Sequence, residues 1–411
     1  MKSKLVRLYG KNDLRIDEIE LPKIKENEIL ASVITDSICM SSYKLAAQGE
    51  NHKKTPENLK ENPIVVGHEF CGEIIEVGEK WKNKFKAGQK YVVQANLQLE
   101  NEPWCPGYSY PYTGGGATHI IIDKDVMEQD CLIPYNGDTY FEGSLVEPLS
   151  CIIGAFKANY HLIHGTYNHK MGIKEKGNLL ILGGTGPMGL IAIDYALHGP
   201  IKPSKIVVTD LEQSKLDRAK QLYLPTSETE IEFINVNNEV NSIEKIKKLS
   251  SNGYDDIFVM VPSKNVVETA SKLCAPDGCI NFFAGPQDKE FTAELNFYDV
   301  HYNFTHVVGT SGGNTEDVRD GVKLIEEKKV DLSKVVTHIL GLDSLAETTM
   351  NQPAIGGGKK LVYTTKKMKL TSLNTLVDDN DNELKKILDK NNGLWCKEAE
   401  DFVLSKWENI I

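Results

Sequence analysis

The first part of the chain alternates between apolar and polar positions at the two-residue period of a β-strand. Short runs of this kind, separated by glycines, recur up to about residue 150, for example at 64–67, 72–78 and 91–94. Such alternation is typical of strands that bury one face. A β-rich domain is therefore predicted for residues 1–153.

The pattern changes beyond this point to continuous apolar runs. Leu179–Leu182 is apolar throughout, as expected of a strand buried on both faces of a parallel sheet, and 205–210 and 257–261 are similar. A helix is predicted over 189–197, between the first two runs. Strands that alternate with helices predict an α/β domain with a doubly wound parallel sheet, here over 154–311.

Two further segments follow. The chain is expected to return to the first domain over 312–367. The last segment, 368–411, opens with a polar break at Asp378–Asn382 and continues in helix-like stretches. Ala399 and Val403 share one helical face, which predicts docking against the body of the protein or a second subunit.

Composition narrows the class of protein. The chain has 411 residues, 26% of them charged and 40% hydrophobic, as is ordinary for a globular protein. A net charge of −11 argues against nucleic-acid or anionic-membrane partners. No apolar run suggests a membrane span, the N-terminus lacks the apolar core of a signal peptide, and the eight cysteines are irregularly spaced. We therefore expect a cytoplasmic protein.

A glycine-rich turn lies between the first continuous apolar run and the predicted helix. Its residues are Gly184, Thr185, Gly186, Pro187, Met188 and Gly189. With a buried strand before it, a helix after it and Asp210 at 21 positions beyond the last glycine, the turn predicts a dinucleotide site. A carboxylate at this position accepts hydrogen bonds from a ribose and repels a 2′-phosphate. NAD is therefore predicted over NADP, a preference that Lys215 and Arg218 would weaken.

Candidate metal ligands precede this turn. Cys39 as a thiolate, His68 as a neutral imidazole, and a carboxylate from Glu69 or Glu147 would hold zinc with one open position. Alone, Cys39 would more often be a small buried apolar residue and His68 a core histidine. Combined with a dinucleotide site, they predict metal-assisted hydride transfer.

Several stretches resemble the zinc-dependent medium-chain dehydrogenases, the alcohol and polyol dehydrogenase superfamily. The matching stretches are 36–39, 66–72, 144–150 and 183–190. The resemblance implies a GroES-like β-rich catalytic domain, interrupted by a Rossmann domain, in an enzyme that acts on a polyol or sugar.

A narrower resemblance covers the chain up to about residue 365. It is to the L-sorbose 1-phosphate reductases, and its distinctive stretches are 94–99, 105–109, 168–173 and 298–302. This resemblance implies reduction of a ketose phosphate, L-sorbose 1-phosphate, to D-glucitol 6-phosphate with NAD(P)H. The alternatives are a dehydrogenase of an unphosphorylated polyol such as sorbitol, and a non-catalytic protein that binds the cofactor. By analogy with the superfamily, a homodimer or homotetramer is expected.

The superfamily resemblance also implies roles for individual residues. Cys39 and His68 match zinc ligands, and Glu69 matches a carboxylate that can enter or leave the metal's coordination shell. Glu147 matches either a third ligand or a residue behind the ligands. Ser41 matches the hydroxyl that passes the substrate proton.

Two departures from the superfamily pattern change these expectations. Where relatives often carry Asp-x-His, this chain has Ser42 and Lys44, so Lys44 would be the terminal proton acceptor or would hold a phosphate. A lysine with its ordinary pKa near 10.4 is a poor proton acceptor. The stretch 96–116, where relatives often bind a structural zinc through four cysteines, contains only Cys105. A single catalytic zinc per chain is therefore predicted.

Two clusters have competing interpretations. His161, His164 and His169 have no cysteine or carboxylate close in sequence, which favours a solvated loop over a second metal site. The basic run His52–Lys54 is either a solvated face or a patch that holds a sugar phosphate.

Overall fold

The computed structural model describes residues 1–97, 99–100, 102–237, 241–376 and 382–410. Residues 378–381 of the predicted polar break lie outside this part of the chain. The described residues form an α/β protein with parallel and antiparallel sheets, as predicted.

The strands, in chain order, are β1 Lys2–Leu8, β2 Leu14–Glu20, β3 Ile29–Ser37, β4 Ile64–Val65, β5 Phe70–Val77, β6 Lys90–Val93, β7 His119–Ile122, β8 Leu132–Pro134, β9 Tyr160–Leu162, β10 His169–Met171, β11 Asn178–Leu182, β12 Lys205–Asp210, β13 Glu230–Asn235, β14 Tyr254–Val259, β15 Cys274–Phe282, β16 His306–Val308, β17 Val336–Gly341, β18 Lys359–Tyr363 and β19 Thr371–Ser372. The α-helices are α1 Met40–Gln48, α2 Lys124–Glu128, α3 Tyr140–Ser144, α4 Val146–Ala158, α5 Pro187–His198, α6 Gln213–Leu222, α7 Ser242–Leu249, α8 Lys264–Leu273, α9 Phe297–Tyr302, α10 Thr315–Glu326, α11 Leu345–Asn351, α12 Asn382–Lys390 and α13 Lys397–Lys406.

The chain folds as two compact units. Unit 1 comprises Met1–Glu147, Asn314–Glu327 and Leu332–Ile411, and unit 2 comprises Pro148–Gly313 and Lys328–Asp331. The chain passes from unit 1 to unit 2 after Glu147 and returns to unit 1 after Gly313. The boundaries predicted from the sequence, after residues 153 and 311, lie six residues later and two residues earlier, respectively.

Unit 1 is built around an eight-stranded sheet. Seven strands follow the order β19–β17–β18–β3–β5–β6–β8, and β7 pairs with β3. Strand β18 lies antiparallel to β3, with Val362 opposite Asp36. The sheet is thus complete only when the segment after unit 2 joins the N-terminal segment.

Unit 2 contains a six-stranded parallel sheet in the order β13–β12–β11–β14–β15–β16. The apolar runs predicted at 179–182, 205–210 and 257–261 fall on β11, β12 and β14, and the helix predicted at 189–197 lies within α5. Strand order reverses beside β11, and open α/β sheets bind ligands at the carboxyl ends of strands at such a point.

The interpretation of three histidines as a solvated loop is wrong for His161. This residue lies buried in β9, where its Nε2 is 3.2 Å from Asp256 Oδ1 and its Nδ1 is 2.8 Å from the main-chain oxygen of Asp277. Asp256 is 95 positions away in the chain, so no local pattern revealed the partner. His164 and His169 are exposed.

The C-terminal segment packs on unit 1. The face of α13 that carries Ala399 and Val403 is fully buried. Trp395, just before α13, is buried and donates from Nε1 to the Tyr363 hydroxyl in β18 at 2.8 Å. The sequence predicted docking against the body of the protein or a second subunit, and this contact corresponds to the first.

Glu400 is a buried carboxylate on α13 that binds the start of another helix. It accepts hydrogen bonds from the main-chain N–H groups of Tyr140 at 2.7 Å and Phe141 at 2.9 Å, the first residues of α3. These are donors that a helix start leaves unpaired. Burial raises the pKa of Glu400 to about 7, although these hydrogen bonds oppose the shift.

None of the helices in the described part of the chain combines the length and the apolar character that crossing a membrane requires.

The stability of unit 1 is expected to depend on pH through Glu400. Because the folded-state pKa of about 7 exceeds the ordinary value of 4.5, the stabilising contribution of this group is complete below pH 4.5 and is lost as pH rises through 7. Between these values the free energy of unfolding of the wild type should fall relative to that of Glu400→Gln, by on the order of 3 kcal/mol at most. Urea titrations across this pH range measure the difference.

The exposed neighbour Glu398 supplies the control, since Glu398→Gln changes the same charge on the same helix. A difference between wild type and Glu400→Gln that does not vary with pH would show that Glu400 titrates normally.

Candidate active site and metal centre

Two paired strands bring the candidate metal ligands together. Cys39 follows β3 and begins α1, while His68 and Glu69 directly precede β5. Because β3 and β5 are antiparallel, with Asp36 opposite Phe70, the chain leaving β3 meets the chain entering β5. Residues that are 29 positions apart therefore become neighbours.

Cys39, His68 and Glu69 form a compact donor cluster. One ligand atom from each lies within 4.8 Å of the other two, and the described residues contain no further group of three such ligands this close together. Burial lowers the pKa of His68 to about 4, so its imidazole is neutral at pH 7. Burial is also the main cause that raises the pKa of Cys39 to about 12, and a bound cation would favour its thiolate.

This cluster fits zinc. A thiolate, an imidazole and a carboxylate are the donors of catalytic zinc sites. The Nδ1 atom of His68 is buried and has no hydrogen-bond partner among the described residues. Buried polar atoms are rarely left unpaired, which makes this histidine a fitting metal ligand.

Lys359 is a site residue that the sequence did not reveal. It is fully buried in β18, and its Nζ lies 2.5 Å from Glu69 Oε1, with the Ser37 hydroxyl donating to the same carboxylate. Burial, the largest single effect, would lower the pKa of Lys359. The charge and hydrogen bond of Glu69, together with the charges of Cys39 and Glu147, outweigh it, and the net shift of the pKa is upward. The ammonium thus neutralises Glu69 beside the other two donors.

Two hydroxyl groups adjoin His68. The Tyr108 hydroxyl donates to Ser41 Oγ at 2.8 Å, and the two oxygens lie 3.4 and 3.3 Å from His68 Nε2. Burial raises the pKa of Tyr108 well above its usual range, so this phenol is a neutral donor. The sequence predicted Ser41 as a residue of the active site. It predicted no role for Tyr108, which lies within the matching stretch 105–109.

Lys44 and Ser42 lie on the same helix as Ser41. Lys44 is half-buried on α1 and Ser42 is buried. The role of Lys44 in proton transfer stays a prediction.

Glu147 lies at the start of α4, outside the cluster of three. Its negative charge nevertheless reaches that cluster, because it adds to the effects of burial and Glu69 on the pKa of Cys39. The choice between Glu69 and Glu147 as the third zinc ligand stays open.

The glycine-rich turn in unit 2 has the shape that a pyrophosphate needs. It connects β11 to α5, whose N-cap is Gly186 and whose first residue is Pro187. A Cβ atom at Gly189 would lie 2.3 Å from the Gly184 oxygen, so this close approach of helix and turn requires glycine. A Cβ atom at Gly186 would meet nothing within 4 Å, which leaves room for a ligand at the helix N-terminus.

Asp210 lies at the carboxyl end of β12, beside the same turn. Its Oδ2 accepts from Thr185 N at 3.1 Å and Thr185 Oγ1 at 2.5 Å, and its Oδ1 accepts from Leu211 N at 2.8 Å. The end of β12 therefore places the Asp210 carboxylate beside the turn that follows β11, next to the candidate pyrophosphate site. This arrangement fits a dinucleotide.

Two family models match the chain. The alcohol dehydrogenase GroES-like domain matches residues 25–130, and the zinc-binding dehydrogenase model matches residues 187–327. The first covers the candidate ligands Cys39, His68 and Glu69, and the second begins at Pro187 of the glycine-rich turn.

Individual relatives are similar over almost the whole chain. L-sorbose 1-phosphate reductase of Klebsiella pneumoniae is 57% identical over 405 residues, which are 98% of each chain. Mannitol-1-phosphate 5-dehydrogenase of Aliivibrio fischeri is 43% identical over 412 residues, 98% of this chain and 97% of the relative. Among solved structures, 2R,3R-butanediol dehydrogenase of Bacillus subtilis has the same fold, with a TM-score of 0.70, 22% identity, and coverage of 88% of this chain and 99% of that one.

Removal of a candidate ligand should abolish zinc binding. Cys39→Ala and His68→Ala are each expected to reduce zinc from about one ion per chain to below about a tenth, because two remaining donors rarely hold a catalytic zinc. Binding of NADH should persist, since the glycine-rich turn lies in unit 2. Metal analysis by plasma mass spectrometry and a fluorescence titration with NADH measure the two properties.

Cys131→Ala removes another buried cysteine of unit 1 and serves as the control. Full zinc content in either Cys39→Ala or His68→Ala would contradict the assignment of these residues as ligands.

Proposed function

Because the chain belongs to the zinc-dependent medium-chain alcohol and polyol dehydrogenases, we propose that it reduces L-sorbose 1-phosphate to D-glucitol 6-phosphate with NADH. The observation that supports this substrate is the 57% identity to an L-sorbose 1-phosphate reductase over 98% of both chains. Hydride passes from NADH to C2 of the ketose, and a proton completes the hydroxyl group, leaving NAD⁺.

Cys39 and His68 would hold the zinc, with Glu69 or Glu147 as the third ligand. Zinc, when bound there, supplies Lewis acidity that polarises a substrate carbonyl. The ion pair with Lys359 holds Glu69 beside the other two ligands and offsets its charge. We propose that the ion pair with Lys359 determines how strongly the Glu69 carboxylate binds the metal.

Protonation of the product oxygen is assigned to Ser41. Its Oγ accepts from the Tyr108 hydroxyl at 2.8 Å, which leaves its own proton available for a neighbouring acceptor. Tyr108, which its raised pKa keeps protonated, orients the Ser41 hydroxyl, and a proton from bulk water restores Ser41 after each turnover. Lys44, on the same helix as Ser41, would then contribute positive charge rather than act as a terminal proton acceptor.

The preference for NADH is supported by charges near Asp210. The carboxylate disfavours a 2′-phosphate. Lys215, one of the two cations that would favour one, pairs with Glu212 at 2.7 Å. One zinc per chain also stays part of the proposal, since Cys105 alone could not hold a structural zinc.

The proposed reaction predicts strong discrimination in favour of a phosphorylated ketose. The value of kcat/KM for L-sorbose 1-phosphate should exceed that for L-sorbose by about 100-fold or more, because two charge-assisted hydrogen bonds to a phosphate contribute a few kcal/mol. Initial rates of NADH and NADPH oxidation, measured before and after chelation of zinc, test substrate, cofactor and metal together.

Equal rates with both sugars would favour the alternative, a dehydrogenase of unphosphorylated polyols such as sorbitol. Activity that survives complete removal of zinc would contradict the proposed chemistry.

We also propose a homo-oligomer formed through unit 2. The aromatic side chains on α9 are unusually exposed, at 73% for Phe297, 65% for Tyr298 and 62% for Tyr302. Next to them in the chain, β16 lies at the end of the six-stranded sheet. An edge strand beside exposed aromatic rings favours pairing with a second copy.

Tyr298→Glu should lower the mass of the particle, as measured by light scattering, because a charge in an apolar interface is costly. Leu224→Glu, which alters another exposed apolar residue of unit 2, is the control. A mass that is unchanged by Tyr298→Glu would place the interface elsewhere.

A further inference from the structure

The proposed substrate restricts where its phosphate can bind. In a 2-ketose 1-phosphate, the phosphate is attached through one oxygen to the carbon next to the carbonyl. When the carbonyl lies at the cluster of Cys39, His68 and Glu69, the phosphate must lie beside that cluster too. The groups that recognise the phosphate should therefore be neighbours of the metal ligands.

Tyr108 links the metal ligands to a basic loop. Its ring lies 4.8 Å from the ring of His68, measured between centroids. The same ring stacks against His52 at 5.7 Å, with 21° between the planes, and Lys54 Nζ lies 5.0 Å from its centroid. One aromatic side chain thus separates His52 and Lys54 from His68.

Lys54 has no carboxylate partner among the residues that the structure describes. The Lys54 residue is half-buried, and its ammonium contacts the face of the Tyr108 ring and the thiol of Cys105. Neither group carries a negative charge at pH 7. Burial raises the pKa of Tyr108 well above its usual range, and it is the main cause of the rise in the pKa of Cys105 to about 11. A partly desolvated cation without a counter-ion favours binding of an anion.

His52 offers a second donor on the same loop. Its Nδ1 accepts from Lys54 N at 3.2 Å, so the proton of the neutral ring is on Nε2. Burial lowers the pKa of His52 to about 4, so the ring is neutral at pH 7 and Nε2–H donates without a charge of its own.

The loop is held in place by hydrogen bonds. The main-chain oxygen of Lys54 accepts from Ser109 Oγ at 2.7 Å, and this Oγ in turn accepts from Cys105 N at 2.9 Å. Thr55 Oγ1 donates to the oxygens of Gly49 and His52. Lys54 and His52 are thereby fixed relative to Tyr108, as a binding site requires.

We propose that Lys54 and His52 form the subsite for the phosphate group of the substrate, beside the reacting carbonyl. This inference rests on the proposed function and makes it more specific. Lys53, between them, is exposed and is not part of the subsite. A phosphate bound here selects ketoses that carry it next to the carbonyl and disfavours substrates that carry it at the far end, as in fructose 6-phosphate.

The test compares Lys54→Met, Lys54→Arg and His52→Phe with the wild-type zinc enzyme. Lys54→Met should lower the ratio of kcat/KM for L-sorbose 1-phosphate to that for L-sorbose by about 30-fold, mainly through KM, because a charged hydrogen bond to phosphate is lost. Lys54→Arg should restore most of this ratio. His52→Phe keeps the ring stacked on Tyr108 but removes the donor, and should lower the ratio by about 5-fold.

Lys60→Met is the matched control, since it removes an exposed positive charge shortly after the same loop. In parallel, isothermal calorimetry should give a dissociation constant for D-glucitol 6-phosphate that is about 30-fold weaker in Lys54→Met, with NADH present so that no hydride transfer can occur. This binding measurement does not depend on turnover.

Three results would overturn the subsite. An unchanged ratio in Lys54→Met would place the phosphate elsewhere. An equal loss for both sugars would mean that Lys54 only positions Tyr108. Faster turnover of fructose 6-phosphate than of L-sorbose 1-phosphate by the wild type would place the phosphate far from the metal. A wild type that reduces no ketose phosphate would contradict the proposed function, and calorimetry would then decide the subsite separately.

Discussion

The buried ion pair between Lys359 and Glu69 connects the first and the last of the three segments from which unit 1 is assembled. The two residues are 290 positions apart, on either side of the whole of unit 2. Removing both charges from water is costly, and the attraction between them offsets this cost only while the geometry holds. The position of Glu69 beside Cys39 and His68 therefore depends on the correct joining of β18 to β3. A small error in that strand pairing would directly alter the cluster of candidate metal ligands.

Much of the fold follows from local patterns in the sequence. The continuous apolar run of β11, the glycines after it and Asp210 are close in the chain, and they were sufficient to predict the dinucleotide turn. Cys39 and His68 were also predicted, because each belongs to a short stretch with a recognisable neighbourhood. These features are determined over a few tens of residues at most.

Other features depend on contacts between distant segments and were not predictable in this way. Lys359 gave no local signal, since its significance comes only from a partner at the other end of the chain. Tyr108 was the middle of a matching stretch, but its hydrogen bond to Ser41 spans 67 positions. His161 was misinterpreted for the same reason, because its carboxylate partner lies on β14. The basic loop at His52–Lys54 had two equal interpretations in the sequence, and only the ring of Tyr108 in the structure relates it to the candidate metal ligand His68.

The contact of Glu400 with α3 has a consequence for synthesis of the protein on the ribosome. Residues 1–147 emerge before unit 2, but β18 and α13, which complete the sheet and bind the start of α3, emerge after it. Unit 2 is almost wholly continuous in the chain and can fold while translation proceeds, as domains generally do. Until β18 and α13 emerge, the N-terminal segment has an exposed sheet edge at β3, and the main-chain N–H groups at the start of α3 lack the Glu400 carboxylate. Chaperones should therefore bind nascent chains chiefly at this N-terminal segment, until α13 has left the ribosome.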